Sequence, residues 1–370
     1  MRTALAVLLA ALAVAACSRE NPLASRPDLS AVRANLAFTC LHEADHLPPL
    51  DPQADALFQY GRYLEKKAGP TDFNEVARYY RIAAAHGHYK ANHNLQLLVS
   101  EGSAASPAPD KESIALAEQL IEAGVPSGYY DIGHYLLHGY GLKQDEDMAR
   151  RFIRKAADLG NADAQYYVAD LLAPADMAPE IARQMRQCAT SQGHGKAASS
   201  LGINLQNSAL YSEAVQAFQT GVRAGDSQSA SFLKGGFTEP IPSQQLLPPS
   251  EQMYYLAVSA DFERSRRYKL IWKFLIDNEG RNPTVPDIDQ IVPLPPAKLP
   301  PWDGTFQWQK EQDAAVPPEK PSDELINRLS KAKSLDPATG LPLATSAKAT
   351  PTTPSEAEQK LLSLVYGNQV

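Results

Sequence analysis

The chain has 370 residues with 29 prolines and three cysteines, and its 35 lysines and arginines against 42 aspartates and glutamates leave a formal charge of −7. The acidic balance argues against nucleic acid or an anionic lipid surface as the ligand, and nothing along the chain pairs a nucleophile with a base, forms a phosphate loop or sets two carboxylates for acid–base work.

In chain order, MRTALAVLLAALAVAAC carries one charge, Arg2, and an apolar run of about a dozen residues, too short to span a bilayer, so 1–16 reads as a signal peptide. The run ends in Val14-Ala15-Ala16-Cys17, which resembles the bacterial lipobox. That resemblance implies cleavage before Cys17 and a diacylglycerol on its sulfur. Ser18 in place of an aspartate implies the outer membrane, facing the periplasm. Loss of Arg2 takes the charge from −7 to −8.

Residues 17–50 are expected to be a tether and a leading helix from Leu29 to His46. Within it His42-Glu43-Ala44-Asp45-His46 satisfies H-E-x-x-H, in which two imidazoles one turn apart hold zinc and the glutamate activates water. Asp45 adds a charge inside the motif and Pro48-Pro49 ends the helix within a turn, so a solvated helix end is expected.

From 51 to 237 the chain repeats. Closing glycines at Gly87, Gly124, Gly160, Gly193 and Gly225 recur at spacings of 37, 36, 33 and 32 residues, each after an apolar-periodic run. The clearest unit is Pro126–Asn161. A first helix breaks at Gly139-Tyr140-Gly141, Asp145 caps a second, and Ala149, Phe152, Ile153, Ala156 and Ala157 share one face of that second helix before Gly160. Such a hairpin buries its apolar faces only by stacking on copies of itself. The G-x-G turn, Asp145, Ala149 and the Ala156-Ala157 pair resemble the Sel-1-like repeat, a relative of the tetratricopeptide repeat. The fold implied is an all-α right-handed solenoid of helical pairs. Cys40 precedes the first repeat and Cys188 lies in the fourth. Since a solenoid brings only neighbouring repeats together, two separate thiols are expected over a bridge.

In such arrays the first helix of each pair lines the concave side. Aligning Ala56, Ala91, Gly128, Ala164 and Ala197 places Gln59, Asn94, Asp131, Tyr167 and Ser200 at equivalent outward slots, with Tyr135 one turn on. Aromatic residues among amides and one acid suit a protein partner; the alternative for the tyrosines is packing between helices. His86, His88 and His93, and His134 with His138, fall on turn and exposed-face slots, and no metal is expected there.

Residues 238–312 read as a helical cap, with two helices from Glu251 to Asn278, and a proline-rich strap. The strap, NPTVPDIDQIVPLPPAKLPPWDG, is too proline-dense for regular structure and too apolar for a linker, so an ordered extended segment across the last helices is expected. Arg267-Tyr268, Pro286-Asp287-Ile288-Asp289, Val292-Pro293-Leu294-Pro295-Pro296-Ala297 and Trp302-Asp303-Gly304 together resemble the C-terminal domain of unknown function on proteobacterial Sel-1-like lipoproteins. That design implies immunity partners of type VI secretion effectors, phospholipases included. In the mostly flexible tail, 313–370, helices are expected from Ser322 to Lys333 and in SEAEQKLLSLVYG.

The reading is a non-enzymatic, cofactor-free, protein-binding envelope lipoprotein, in its most concrete form an immunity protein against a periplasm-acting effector. The alternatives are a scaffold or regulator with an endogenous partner, and a zinc hydrolase through His42, Glu43 and His46.

Overall fold

The structure, a computed structural model, describes residues 36–67, 69–238 and 253–343, of which those from Phe38 onward group as one compact unit. Its array consists of α1 (Pro52–Lys66), α2 (Phe73–Ala85), α3 (Tyr89–Ser100), α4 (Pro109–Glu122), α5 (Ser127–His138), α6 (Glu146–Asp158), α7 (Ala162–Leu172), α8 (Pro179–Ser191), α9 (Gly195–Asn207), α10 (Tyr211–Arg223) and α11 (Ser227–Gly236). Each packs on its neighbours in the chain, which makes the array a helical-repeat solenoid. Odd-numbered helices open the pairs and even-numbered ones close them.

One local device recurs at the junctions. Gly87, Gly124, Gly160, Gly193 and Gly225 all have positive φ, from 74° to 105°, a region that costs a residue with a Cβ. Except after Gly124, the next residue caps the following odd helix. His88, Asn161, His194 and Asp226 accept from the backbone N–H of Ala91, Ala164, Ala197 and Ser229, three residues on, and Asp51 does the same for Ala54 where the array begins. Such a cap stabilises by about 1 kcal/mol. The capped row is small because the helix start lies against the preceding pair: a Cβ on Gly128, in the same row, would sit 2.6 Å from the Ala117 carbonyl oxygen. Ala54 therefore holds the slot that the sequence alignment gave to Ala56. The first repeat is shifted by two, and Gln59 is not the equivalent of Asn94; Leu57 is.

The second helices bury the predicted faces. On α6 Ala149, Phe152, Ile153, Ala156 and Ala157 are all fully buried, and each large side chain among them contributes about 1.5–3 kcal/mol.

The leader departs from expectation. Residues 36–50 have no regular structure except for a 3-10 turn at Glu43–His46, flanked by extended backbone at His42 and Leu47, and no helix runs through 36–42; 29–35 lie outside the described residues. This backbone is held by the array. Gln165 Nε2 donates to the Leu41 carbonyl (3.0 Å), and Glu43 N donates to the Gly160 carbonyl and to Gln192 Oε1 (both 3.1 Å). Cys40 and Cys188 form a disulfide with Cα atoms 5.6 Å apart. The expectation of two separate thiols is thus corrected. It treated the leader as one more layer of the stack, whereas the leader is a strap that crosses to the third and fourth repeats.

Beyond α11 the period ends. Between Met253 and Asp261 there is no helix, and α12 (Phe262–Asp277) is the single described helix of a stretch expected to hold two. Gly235 and Gly236 make room for this crossing, since a Cβ on either would meet Tyr254 at 2.5 Å or Leu256 at 2.6 Å. Gln206 Nε2 donates to the carbonyls of Met253 and Tyr255. The proline-rich strap packs on the last helices, but it is not extended throughout: α13 (Ile288–Ile291) forms in its proline-free stretch, where backbone N–H groups are present to close a turn. Prolines supply no N–H, so its carbonyls need outside donors. Buried Arg267 donates to Ile291 and Pro300, and buried Arg264 donates to Pro293 and Ala297.

After α14 (Gln307–Ala314) the chain returns to the first repeat. Ser322 caps α15 (Asp323–Ala332) as predicted, and Ile326, Leu329 and Leu335 join the core of α1 to α4. Arg78 and Arg81 donate to the carbonyls of Pro337 and Thr339. A stretch expected to be flexible is therefore ordered as far as 343; the helix expected in SEAEQKLLSLVYG lies outside the described residues.

Gly133 on α5 faces α6, and a Cβ there would be 2.5 Å from Ile153 Cγ1. Gly133→Leu is expected to overpack this junction by about 1–3 kcal/mol and to lower the thermal midpoint of the whole array. An unchanged melt would contradict the register.

Candidate protein-binding groove

The leader strap and the odd helices enclose a groove of about 620 Å³. Phe58 and Arg62 come from α1, Tyr89, Lys90, His93 and Asn94 from α3, Tyr130 from α5 and Asp163 from the start of α7, while Glu43, Ala44 and Leu47 of the strap form a wall. Most of these helix residues stand one, two or five places after the junction position, in the first turns of their helices.

Among the odd helices of the array, α1 to α11, α5 alone has no side-chain cap of its own, because Val125-Pro126 occupies the junction. Glu43 supplies one from the strap. Its Oε1 accepts from Ser127 N (2.8 Å) and its Oε2 from Asn161 Nδ2 (2.8 Å). A carboxylate at a helix N-terminus also complements the helix dipole. Burial still pushes the Glu43 carboxyl above the ordinary glutamate value, with those hydrogen bonds opposing the rise.

This placement disposes of the zinc motif. His42 Nε2 is paired with Ser191 Oγ at 2.9 Å, both Glu43 oxygens are engaged, and His46 is exposed. The residues lie on a 3-10 turn, so the one-turn spacing that an α-helix gives two ligands is missing. Among the described residues the one cluster close enough to hold an ion is Cys40, His42 and Cys188, and its two sulfurs are bonded to each other.

Histidine–aspartate pairs link successive odd helices. His88 Nε2 lies 3.1 Å from Asp55 Oδ1 (α1 to α3), His93 Nδ1 3.6 Å from Asp131 Oδ1 (α3 to α5) and His194 Nε2 3.1 Å from Asp163 Oδ1 (α7 to α9). Between α5 and α7 the His134 ring meets Tyr167 edge-on at 5.9 Å. Burial lowers the pKa of His88 and His134, whereas the facing carboxylate of Asp131 raises that of His93. His88 and His194 are thus both caps and cross-links, a role that their turn position in the sequence does not reveal.

The nominated residues divide. Asn94 lines the groove, and Tyr167 is half-buried beside His134. Asp131 is only 8% exposed and accepts from Gln96 Nε2, whose Oε1 accepts from the Tyr135 hydroxyl (2.7 Å). Asp131 and Tyr135 therefore serve the α3–α5 junction, not an outward slot. Gln59 is exposed on α1 and bonded to Asp55, and Ser200 is half-buried on α9 outside the groove lining. Cys17 lies outside the described residues. Sequence reasoning missed Tyr89, Lys90, Tyr130 and Asp163; counting from the junction residue instead of the small-residue row would have found them.

Glu43→Ala should cost about 0.5–2 kcal/mol, the range for losing a cap, and should speed hydrogen exchange at the start of α5. For His93, a folded-state pKa raised above the unfolded value means stabilisation that is fully present below the unfolded pKa and lost as pH rises through the folded one. Its side chain is 43% exposed, which weakens the effect. Asp131→Asn should lower the His93 pKa in an NMR titration and flatten that part of the stability profile.

Residues 229–343 match the model of a domain of unknown function, DUF6396. No curated protein matches the chain. Among solved structures it is similar to immunity protein Pa5087 from Pseudomonas aeruginosa (29% identity, 70% of this chain and 95% of that one, TM-score 0.55). It is similar also to immunity protein PA5088 from the same organism (26%, 70% and 94%, TM-score 0.56). A Sel1 repeat protein from Oxalobacter formigenes is matched at 19% identity over 60% of this chain and 87% of that one, with a TM-score of 0.45. The chain is thus a helical-repeat solenoid similar to Pseudomonas aeruginosa immunity proteins along nearly their whole length, with a C-terminal part that matches DUF6396.

Proposed function

We propose that this chain is a lipid-anchored immunity protein of the bacterial outer membrane, facing the periplasm, that binds and neutralises a type VI secretion effector of phospholipase type. The observation that carries this reading is the similarity to two immunity proteins over 94–95% of their length. Two features support the compartment: the lipobox-like sequence before Cys17 and the Cys40–Cys188 disulfide, a bond that persists in oxidising compartments. The groove supports the mode of action. It gathers Phe58, Tyr89, Tyr130 and Arg62, residue types enriched at protein interfaces, and its carboxylates are engaged, Glu43 in capping α5 and Asp163 with His194. Neutralisation then proceeds by occlusion, without chemistry.

The test is calorimetric titration of the purified chain with a periplasm-acting phospholipase effector of the same organism. Tight binding that abolishes lipase activity is expected. Tyr130→Ala with Lys90→Glu should weaken it by about 2 kcal/mol or more, as loss of an interface hot spot does, with circular dichroism unchanged. Absence of binding by the parent chain would overturn the reading. Separately, Cys17→Ser should abolish incorporation of labelled palmitate, and label retained in the variant would overturn the anchor.

A further inference from the structure

The leader strap is held in three ways at one place. Cys40 is bonded to Cys188 across 148 residues of sequence. The strap backbone lies so close to Gly160 that a Cβ there would be 2.6 Å from Glu43 N and from the His42 carbonyl carbon. The Glu43 carboxylate completes the N-terminus of α5. Immediately beyond these contacts Ala44 and Leu47 become a wall of the groove. The non-covalent holds are partly exposed: two hydrogen bonds from Glu43 N, one to the Leu41 carbonyl, those to the carboxylate, and the exposed pair of His42 Nε2 with Ser191 Oγ. Leu41 itself is 38% exposed, so little apolar burial adds to them.

We propose that the groove is a redox-assembled docking surface: the Cys40–Cys188 disulfide holds residues 40–47 in place as one wall, and a partner protein reads that wall together with α3 and α5. The assembling step is a thiol–disulfide exchange. The Cys40 and Cys188 thiols lose two protons and two electrons to the disulfide of a protein oxidant, which leaves as a dithiol. The chain with free thiols keeps its solenoid but lacks a fixed wall, so a copy that has not reached an oxidising compartment does not dock. This regulation rests on the groove being the docking face proposed above, while the state of the wall can be measured without any partner.

The experiment compares the oxidised chain, the same chain reduced with dithiothreitol, and Cys40→Ser with Cys188→Ser, by hydrogen exchange with circular dichroism as the folding control. With helix content equal, the expected result is exchange in 40–47 and at Ser127 faster by about tenfold or more in both forms lacking the disulfide, as for a locally opened segment. The helices α6 and α10 should keep their protection. Equal protection of 40–47 in all three would overturn the proposal. In a second arm the phospholipase effector is the probe, and Leu47→Arg, which leaves both cysteines in place, is added. Binding weakened about tenfold in Leu47→Arg and in the double-serine chain is expected, and affinities equal to the parent's would overturn the composite wall. If the parent binds no phospholipase, the immunity reading falls and the exchange arm alone decides the redox assembly.

Discussion

The contact on which the groove depends is the carboxylate of Glu43 at the open end of α5. Every other odd helix of the array closes its N-terminus with the side chain that immediately precedes it. At α5 that place belongs to Val125 and Pro126, neither of which has a side-chain acceptor. The strap delivers the missing acceptor from a distant part of the chain, and Asn161, itself the cap of α7, donates to the same carboxylate. One acidic side chain thereby joins two successive odd-helix starts. It also commits the glutamate that a zinc-site reading of the sequence would need as a base.

The junction glycines have a second use that only packing reveals. Around Gly87, Gly124 and Gly193 there is open space, whereas a Cβ on Gly160 would meet the strap backbone and one on Gly225 would lie 2.1 Å from the Pro283 carbonyl oxygen. Left-handed backbone favours glycine at all five. At two of them the missing Cβ also lets a foreign stretch of chain lie flat on the array. Val285 N donating to the Arg223 carbonyl repeats at the C-terminal strap what Glu43 N donating to Gly160 does at the N-terminal one. The leader and the C-terminal strap thus both lie against a junction glycine, bonded to the carbonyl of Gly160 in one case and of Arg223, two residues before Gly225, in the other.

This division explains what the sequence shows and what it hides. Junction glycines, the Asp145 and Ser322 caps, the buried face of α6 and the ordered proline-rich strap are local consequences of backbone conformation and periodicity, and all are legible. The leader is not, because its conformation is decided by donors and acceptors on α7 and α8 more than a hundred residues away. Its apolar and charged residues fit a helix equally well when that context is missing. The return of residues 322–343 to α2 is hidden for the same reason. Histidine as a cap is the one local feature that goes unread: His88 and His194 accept through Nδ1 in place of the usual hydroxyl or carboxylate oxygen. Of the nominated residues, Asn94 lines the groove on the odd helices, while a shift of two in the first repeat moved Gln59 onto a slot that Leu57 fills.

The proposed site of partner binding is a groove made jointly by strap and solenoid. The most direct measurement is a hydrogen-exchange footprint of a phospholipase effector on the oxidised, full-length protein. Protection concentrated in residues 43–47 and in the first turns of α3 and α5 is the predicted result. Protection confined to the even-numbered helices, or to the C-terminal segment packed on α2, would contradict it.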